Sequence, residues 1–346
     1  MPKDTNISLD DFAEEDEQIS SLKKVNLSLM RQLAEAKSKK QDYVNAVYEA
    51  VKEALTSIDI KPVKAPKLDK RSEKEEVAVA LVSDLQLAKV TPDYNSEVCA
   101  QRMELYAQKI IKLTEVQRAD HPVRKCVVTF LGDIIEGVEI FPGQQWLIDA
   151  GLYRQIMVTG PEIVIGFLRT LLTVFDSIEV VWVIGNHGRI GRKGDFDPET
   201  NGDRMLGRLV MMMLENEKRI TWTLPEGQGE RNWYAIARVG NYSALCIHGD
   251  QIRGALGFPW YGLGKKVNPW AAGVIREPFK DVFMGHHHQR SLIPLNTRNV
   301  YANGSTESYN TFAQENMASM SDPSQWLLFV DPEKGRVTAS YGVDLY

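Results

Sequence analysis

The sequence predicts an α/β layered fold preceded by a helical appendage. Three observations point to it. Short runs rich in β-branched and other apolar residues recur at 77–82, 126–131, 178–184, 244–247 and 282–284, as strands covered on both faces do. Amphipathic stretches separate the early runs, which is the strand–helix alternation of a layered α/β protein. Residues 1–60 hold no Gly, no Trp and no Pro after Pro2, and carry helical spacing alone.

Along the chain, Ile19, Leu22, Val25, Leu29 and Leu33 form one helical stripe, and Val44, Val47, Val51, Leu55 and Ile58 form a second. Leu22, Val25 and Leu29 fit a heptad seam, but Gln32 and Lys39 then fall on seam positions. This predicts helices that pack on the body, on a protein partner or on a second copy, not an uninterrupted coiled coil. Residues 61–76 combine two prolines with dense charge and are expected to be a linker. Helices are expected at 96–118, at 161–175 with Pro161 in the first turn, and at 204–219. Residues 233–239, 326–330 and 336–341 read as further strands, with no long helix in the C-terminal part. The division is an appendage at 1–60, a linker at 61–76 and a layered domain at 77–346.

Composition narrows the function. The 346 residues carry 43% apolar side chains and a net charge of −5, so a core is available and a globally basic nucleic-acid coat is excluded. The polar start has no apolar segment behind it, and no apolar run approaches the roughly 18–20 residues that span a bilayer. Cys99, Cys126 and Cys246 lie far apart, which argues against a disulfide framework and fits a cytoplasmic protein.

Polar residues of metal-ligating type follow each buried run. They are Asp84 and Gln86, then Gly132-Asp133, then Gly185-Asn186-His187, then His248, then Gly285-His286-His287-His288. Five of the six histidines lie in these clusters, and only His121 is outside. In open α/β sheets such strand ends are where ligands bind. Carboxylates, imidazoles and amide oxygens together suit two divalent metals, Mn²⁺ above all, with Fe, Zn²⁺ or Mg²⁺ as alternatives. Two such cations share a carboxylate, activate a water and hold phosphoryl oxygens.

The order D-x-Q, G-D, G-N-H, H, G-H-x-H, each element after a strand, resembles the calcineurin-like metallophosphoesterases over residues 77–310. Asn303-Gly304-Ser305 resembles the turn that follows their last motif. The resemblance implies a four-layer αββα sandwich of two mixed β-sheets. It implies that Asp133 bridges two metals, that Asp84, Gln86 and His288 complete one, and that Asn186, His248 and His286 complete the other. It makes His187 the catalytic acid or the cationic partner of the phosphate. Two positions depart from the pattern: Gln86 stands where His is usual, and Gly188 where an acid usually orients the histidine. Asp195 or Asp197 is a candidate replacement for that acid.

The expected function is a di-metal phosphodiesterase or nuclease. The stretch Gly132-Asp133-Ile134-Ile135 lacks the continuation of the Ser/Thr protein phosphatases and is more similar to exonuclease subunits of the SbcCD kind. A phosphomonoesterase and a non-catalytic scaffold with a decayed metal site are the alternatives. Arg189, Arg192, Lys193, Arg204 and Arg208 either seat a phosphodiester or form an ordinary solvated loop among Asp195, Asp197, Glu199 and Asp203. Residues 257–270 either stack bases or pack as an aromatic lid. No membrane contact is expected.

Overall fold

The computed structural model describes residues 60–346 except 68, 72–73, 192–197, 226–232, 254–257, 310–314 and 316–319, together with scattered positions between 24 and 46. The chain divides into two units, Met1–Thr56 and Ser57–Tyr346. In the first, Lys24, Leu27, Ser28, Glu35, Asp42 and Ala46 are helical. The apolar stripes expected there lie outside the described residues.

The second unit is built from two sheets. In one, β1 (Glu76–Val82), β2 (Val123–Leu131), β3 (Ser177–Val183) and β4 (Ile220–Thr223) run parallel. An antiparallel pair, β10 (Ser324–Asp331) and β11 (Arg336–Asp344), extends it on the β1 side, giving the order β11-β10-β1-β2-β3-β4. The other has the order β5-β6-β7-β9-β8, formed by Tyr234–Val239, Tyr242–Ile247, Asp281–Met284, Arg298–Ala302 and Ser291–Leu295. Its strands are parallel at β6–β7 and β7–β9, and antiparallel at both margins.

Alternation along the strands sorts the layers. Val77, Val79 and Leu81, with Val127, Leu131, Val181 and Val183, face Ala235, Ala237, Ala244, Cys246, Phe283 and Tyr301 across the space between the sheets. The intervening Leu245, Ile247, Val282 and Met284 point outward onto Leu263 and Val267 of an unexpected helix, Trp260–Pro269, and onto Trp270 beyond it. Gly262 and Gly264 and the dense aromatics masked that helix in sequence. The far face of the first sheet carries Phe130 and Trp182, whose rings lie 4.3 Å apart. Three helices cover that side: α1 (Ser96–Gln117), α2 (Gly160–Leu172) and α3 (Gly202–Met213), with Tyr106 of α1 stacked on Phe167 of α2 at 5.7 Å. The helix Trp260–Pro269 is α4. The result is the αββα sandwich.

The end of one helix differs from expectation. The third helix ends at Met213 rather than near 219, because the backbone turns there and enters the short strand β4. Glu217 lies in that turn with a buried carboxylate that accepts from Val63 N at 2.8 Å and from Arg219 Nε at 3.2 Å. The charged stretch 61–76 is thus held by polar bonds rather than apolar burial: Arg219 donates to Val63 O and Arg169 to Lys61 O, both at 2.7 Å. Finally, Leu152–Leu172 is long and apolar enough to cross a membrane, the one such helix among the described residues, although Arg154, Glu162 and Arg169 interrupt any continuous apolar run. Ile156, Val164, Leu168, Leu171 and Leu172 are fully buried against the body.

Phe283 is fully buried between the sheets beside Tyr242 and Tyr301. Phe283→Ala is expected to lower unfolding free energy by about 3–5 kcal/mol, read from urea denaturation.

Candidate metal centre

The loops after β1, β2 and β3 meet the loops after β6 and β7 at one edge of the sandwich. Asp84, Gln86, Asp133, His286 and His288 all sit there in left-handed backbone, with φ between 42° and 72°. Each such turn costs a non-glycine residue about 1–3 kcal/mol, and so persists only where its surroundings enforce it. Here the turns fold each strand end back on itself and bring the side chains together.

One half of the site is tightly convergent. His248 Nδ1 lies 2.8 Å from Leu131 O, so that nitrogen carries a proton and donates across the sheets. Its Nε2 then faces Asp133 Oδ2 at 3.0 Å, Asn186 Oδ1 at 3.1 Å and His286 Nδ1 at 3.2 Å. One ligand atom each from Asp133, His248 and His286 fall within 4.8 Å of one another. Acceptor atoms gathered this closely in a buried place need a positive occupant. Burial opposes charge on His248, yet Asp133 outweighs it and raises that imidazole to about 10. Burial and the neighbouring His248 push His286 the other way, to about 4. Burial alone would raise the Asp133 carboxyl, but His248 and His187 hold it well below the usual carboxylate range. A carboxylate, two imidazoles and an amide oxygen are a donor set that fits a divalent cation of the Mn²⁺ or Zn²⁺ kind.

His187 stands beside this cluster. Its backbone N donates to Asp133 Oδ1 at 2.7 Å, and its Nε2 lies 3.9 Å from Asp133 Oδ2. Its Nδ1 meets Glu136, at 3.2 Å from the carbonyl oxygen and 3.1 Å from Oε2. Burial lowers the imidazole's basicity, but Asp133 and Glu136 together raise it to about 8. The Glu136 carbonyl is thus the hydrogen-bond partner of Nδ1, with the carboxylate standing beside the ring. Glu136 is 1% exposed, and Gln144 Nε2 donates to its Oε1 at 2.9 Å and to its carbonyl at 2.8 Å. No acid fits at 188: a Cβ there would collide with the Asn201 side-chain oxygen and stand 2.9 Å from Asp203 N. Asn201 is needed in place, since it caps α3 by accepting from Asp203 N at 2.8 Å. Asp195 and Asp197 lie outside the described residues.

Asp203, which sequence reading left among the solvated loop charges, is fully buried under the site. Oδ2 accepts from Asp133 N and Gly185 N at 2.8 Å each. Oδ1 accepts from Ile134 N at 3.0 Å and Ile135 N at 3.1 Å. Burial and Asp133 raise this carboxyl to about 6, while the backbone donors pull it down. The signal available in sequence was its place two residues after a capping Asn, in a helix first turn.

The other half differs in character. Both oxygens of Asp84 accept from His286 N at 3.0 Å, and Oδ1 lies 3.4 Å from His288 Nε2. Gln86 turns its Oε1 to Lys89 Nζ at 2.6 Å and its amide nitrogen to His288 Nε2 at 3.3 Å. Lys89 also pairs with Glu307, whose Oε1 holds His288 Nδ1 at 2.5 Å. These residues are together, with the amide oxygen of Gln86 on the lysine and its nitrogen on the histidine.

Among the proposed phosphate-seating residues, Arg204 is 1% exposed and bonds Pro225 O, so it supports the loop instead. Arg189 is half-buried, and its Nε has no hydrogen-bond partner. Arg192 and Lys193 lie outside the described residues. His287 leans on Phe258 at 5.4 Å between ring centroids, and Phe258 on Trp260 at 4.6 Å. Trp260 and Tyr261 are exposed.

Asp203→Asn replaces one acceptor oxygen by a donor and strands two backbone N–H groups. Each stranded donor costs about 1–3 kcal/mol. The variant is expected to lose about 2–5 kcal/mol in urea unfolding and to bind Mn²⁺ at least tenfold more weakly by calorimetry.

No family model matches the chain, and no curated protein does. Solved structures do. An archaeal phosphodiesterase aligns at 10% identity over 77% of this chain and 99% of that one, with a TM-score of 0.32. A predicted phosphoesterase from Streptococcus pneumoniae aligns at 11% identity over 78% and 98%, with a TM-score of 0.33. A zinc complex of Vps29 from Entamoeba histolytica aligns at 12% identity over 78% and 99%, with a TM-score of 0.31. In the order of its motifs and in its two mixed sheets, the chain resembles the calcineurin-like metallophosphoesterases.

Proposed function

We propose that the protein is a metal-dependent phosphoesterase acting on phosphodiesters. One observation carries the reading: Asp133, Asn186, His248 and His286 converge on one point, with the Glu136–His187 pair alongside. Those four residues would hold the cation. When bound, a divalent ion supplies Lewis acidity toward a phosphoryl oxygen and toward the attacking water.

The chain's own groups do the rest. Glu136 fixes the His187 ring through Nδ1, which leaves Nε2–H pointing to the site as a donor for a phosphoryl or leaving-group oxygen. Asp133 and Glu136 both raise the basicity of that ring. Asp203 holds the backbone of Asp133 and Gly185 still, so the ligands need no rearrangement when substrate arrives. The ring series His286, His287, Phe258 and Trp260 leads from the ligands to exposed aromatic surface, which supports a nucleotide diester as the substrate class.

Mn²⁺-dependent hydrolysis of bis-p-nitrophenyl phosphate is the expected activity, and Asp133→Asn is expected to abolish it. A chain that hydrolyses neither diester nor monoester with any divalent metal, and that retains no metal by elemental analysis, would reject the proposal. Activity on the monoester alone would assign a phosphatase instead. Parallel assays on single-stranded and duplex DNA separate a nuclease from a small-molecule diesterase. Glu136→Gln is expected to lower kcat about 10–100-fold with the bound-metal content unchanged.

A further inference from the structure

We infer that the ammonium of Lys89 takes the place of the second metal, so that the centre is built from one divalent cation and one lysine. The inference rests on the reading of Asp133, Asn186, His248 and His286 as a cation site.

The argument starts from what a cation between Asp84, Gln86 and His288 would require. Beside the Asp84 carboxylate, Gln86 Oε1 and His288 Nε2 would both have to point at it, since on those two side chains these are the atoms with lone pairs free to give. Instead the Gln86 amide nitrogen stands 3.3 Å from His288 Nε2, and Oε1 stands 2.6 Å from Lys89 Nζ. A lysine ammonium has three donors and no acceptor, so it fixes which end of the amide faces it. The turn between the two residues enforces the contact: Lys89 N donates to Gln86 O at 3.0 Å, and Ala88 between them has φ 86°.

Charge balance leads to the same place. Asp84 and Glu307 are both buried, at 0% and 3% exposure, and buried carboxylates need positive partners. Lys89 is bonded to Glu307, and its own side chain is only 12% exposed. Glu307 reaches the site because Thr306 N donates to Asp84 O at 3.2 Å, and because Arg102 holds Thr306 O at 2.5 Å. His288 is thereby tied on both sides, to Glu307 through Nδ1 and toward Asp84 through Nε2. An ammonium there offsets phosphate charge without a metal's exchangeable ligand positions.

The test counts metal in the full-length protein. Wild-type chain titrated with Mn²⁺ is expected to bind one ion per chain by calorimetry and elemental analysis. Its low-temperature electron paramagnetic resonance spectrum is expected to be that of an isolated ion. The double substitution Gln86→His with Lys89→Ala is expected to raise the count to two and produce exchange coupling between the ions. Lys89→Arg, which keeps the charge, is expected to stay at one. Two coupled ions in the wild-type chain would overturn the inference while leaving the proposed function intact. A double variant that folds, by circular dichroism, yet still binds one would also overturn it. Should that variant fail to fold, the wild-type count decides alone. A wild-type chain that binds none would overturn the cation site itself, and the proposed function with it.

Discussion

The carboxylate of Asp203 accepts four backbone N–H groups, and the turns that carry Asp133 and Asn186 hang on it. Bonds from neutral donors to a charged acceptor are worth about 1.5–3 kcal/mol each. That is the scale of the strain they oppose, since Asp133 sits at φ 52°. The same residue caps nothing itself; it is placed by Asn201, which opens α3. A helix start on one side of the first sheet thus sets the position of a ligand at the sheet's edge.

The two sheets meet the site as one framework. His248 belongs to the second sheet but is aligned by the carbonyl of Leu131 at the end of β2. His286 follows β7, yet its backbone donates to Asp84 beyond β1. Asn303 completes the seam, with its side chain donating to Ser83 Oγ at 3.1 Å and accepting from Trp326 N at 2.8 Å. Apolar burial between the sheets fixes their separation, and these polar links fix their relative register at the functional edge. Neither alone would hold five left-handed turns in place.

The two halves of the site illustrate different ways to settle buried charge. Around His248, four acceptor atoms face one another, and only a proton or a cation can sit among them. Around His288, every charge already has a partner within the chain: Glu307 has Lys89 and His288, and Asp84 has a backbone donor and the imidazole. Gln86 turns its amide oxygen to the lysine three residues on. At Gly188 a side chain has no room, because the capping Asn201 occupies the space it would need, and Glu136 stands at the His187 ring.

Much of this was legible in sequence. The β-branched runs marked β1, β2, β3, β6 and β7, since strands covered on both faces must be apolar throughout. The ligating residue types stood directly after those runs, and their order was visible without any structure. Residues near in sequence to a strand end share its position, so local pattern was enough. What the sequence left open depended on partners distant along the chain. The burial of Asp203, the pairing of Glu136 with His187, and the meeting of Lys89 with Glu307 each arise when separate loops pack onto one edge. A charged residue looks the same in sequence whether it faces water or a ring of backbone donors. Only the tertiary structure chooses, because burial and hydrogen-bond geometry, not residue type, decide what a charge does.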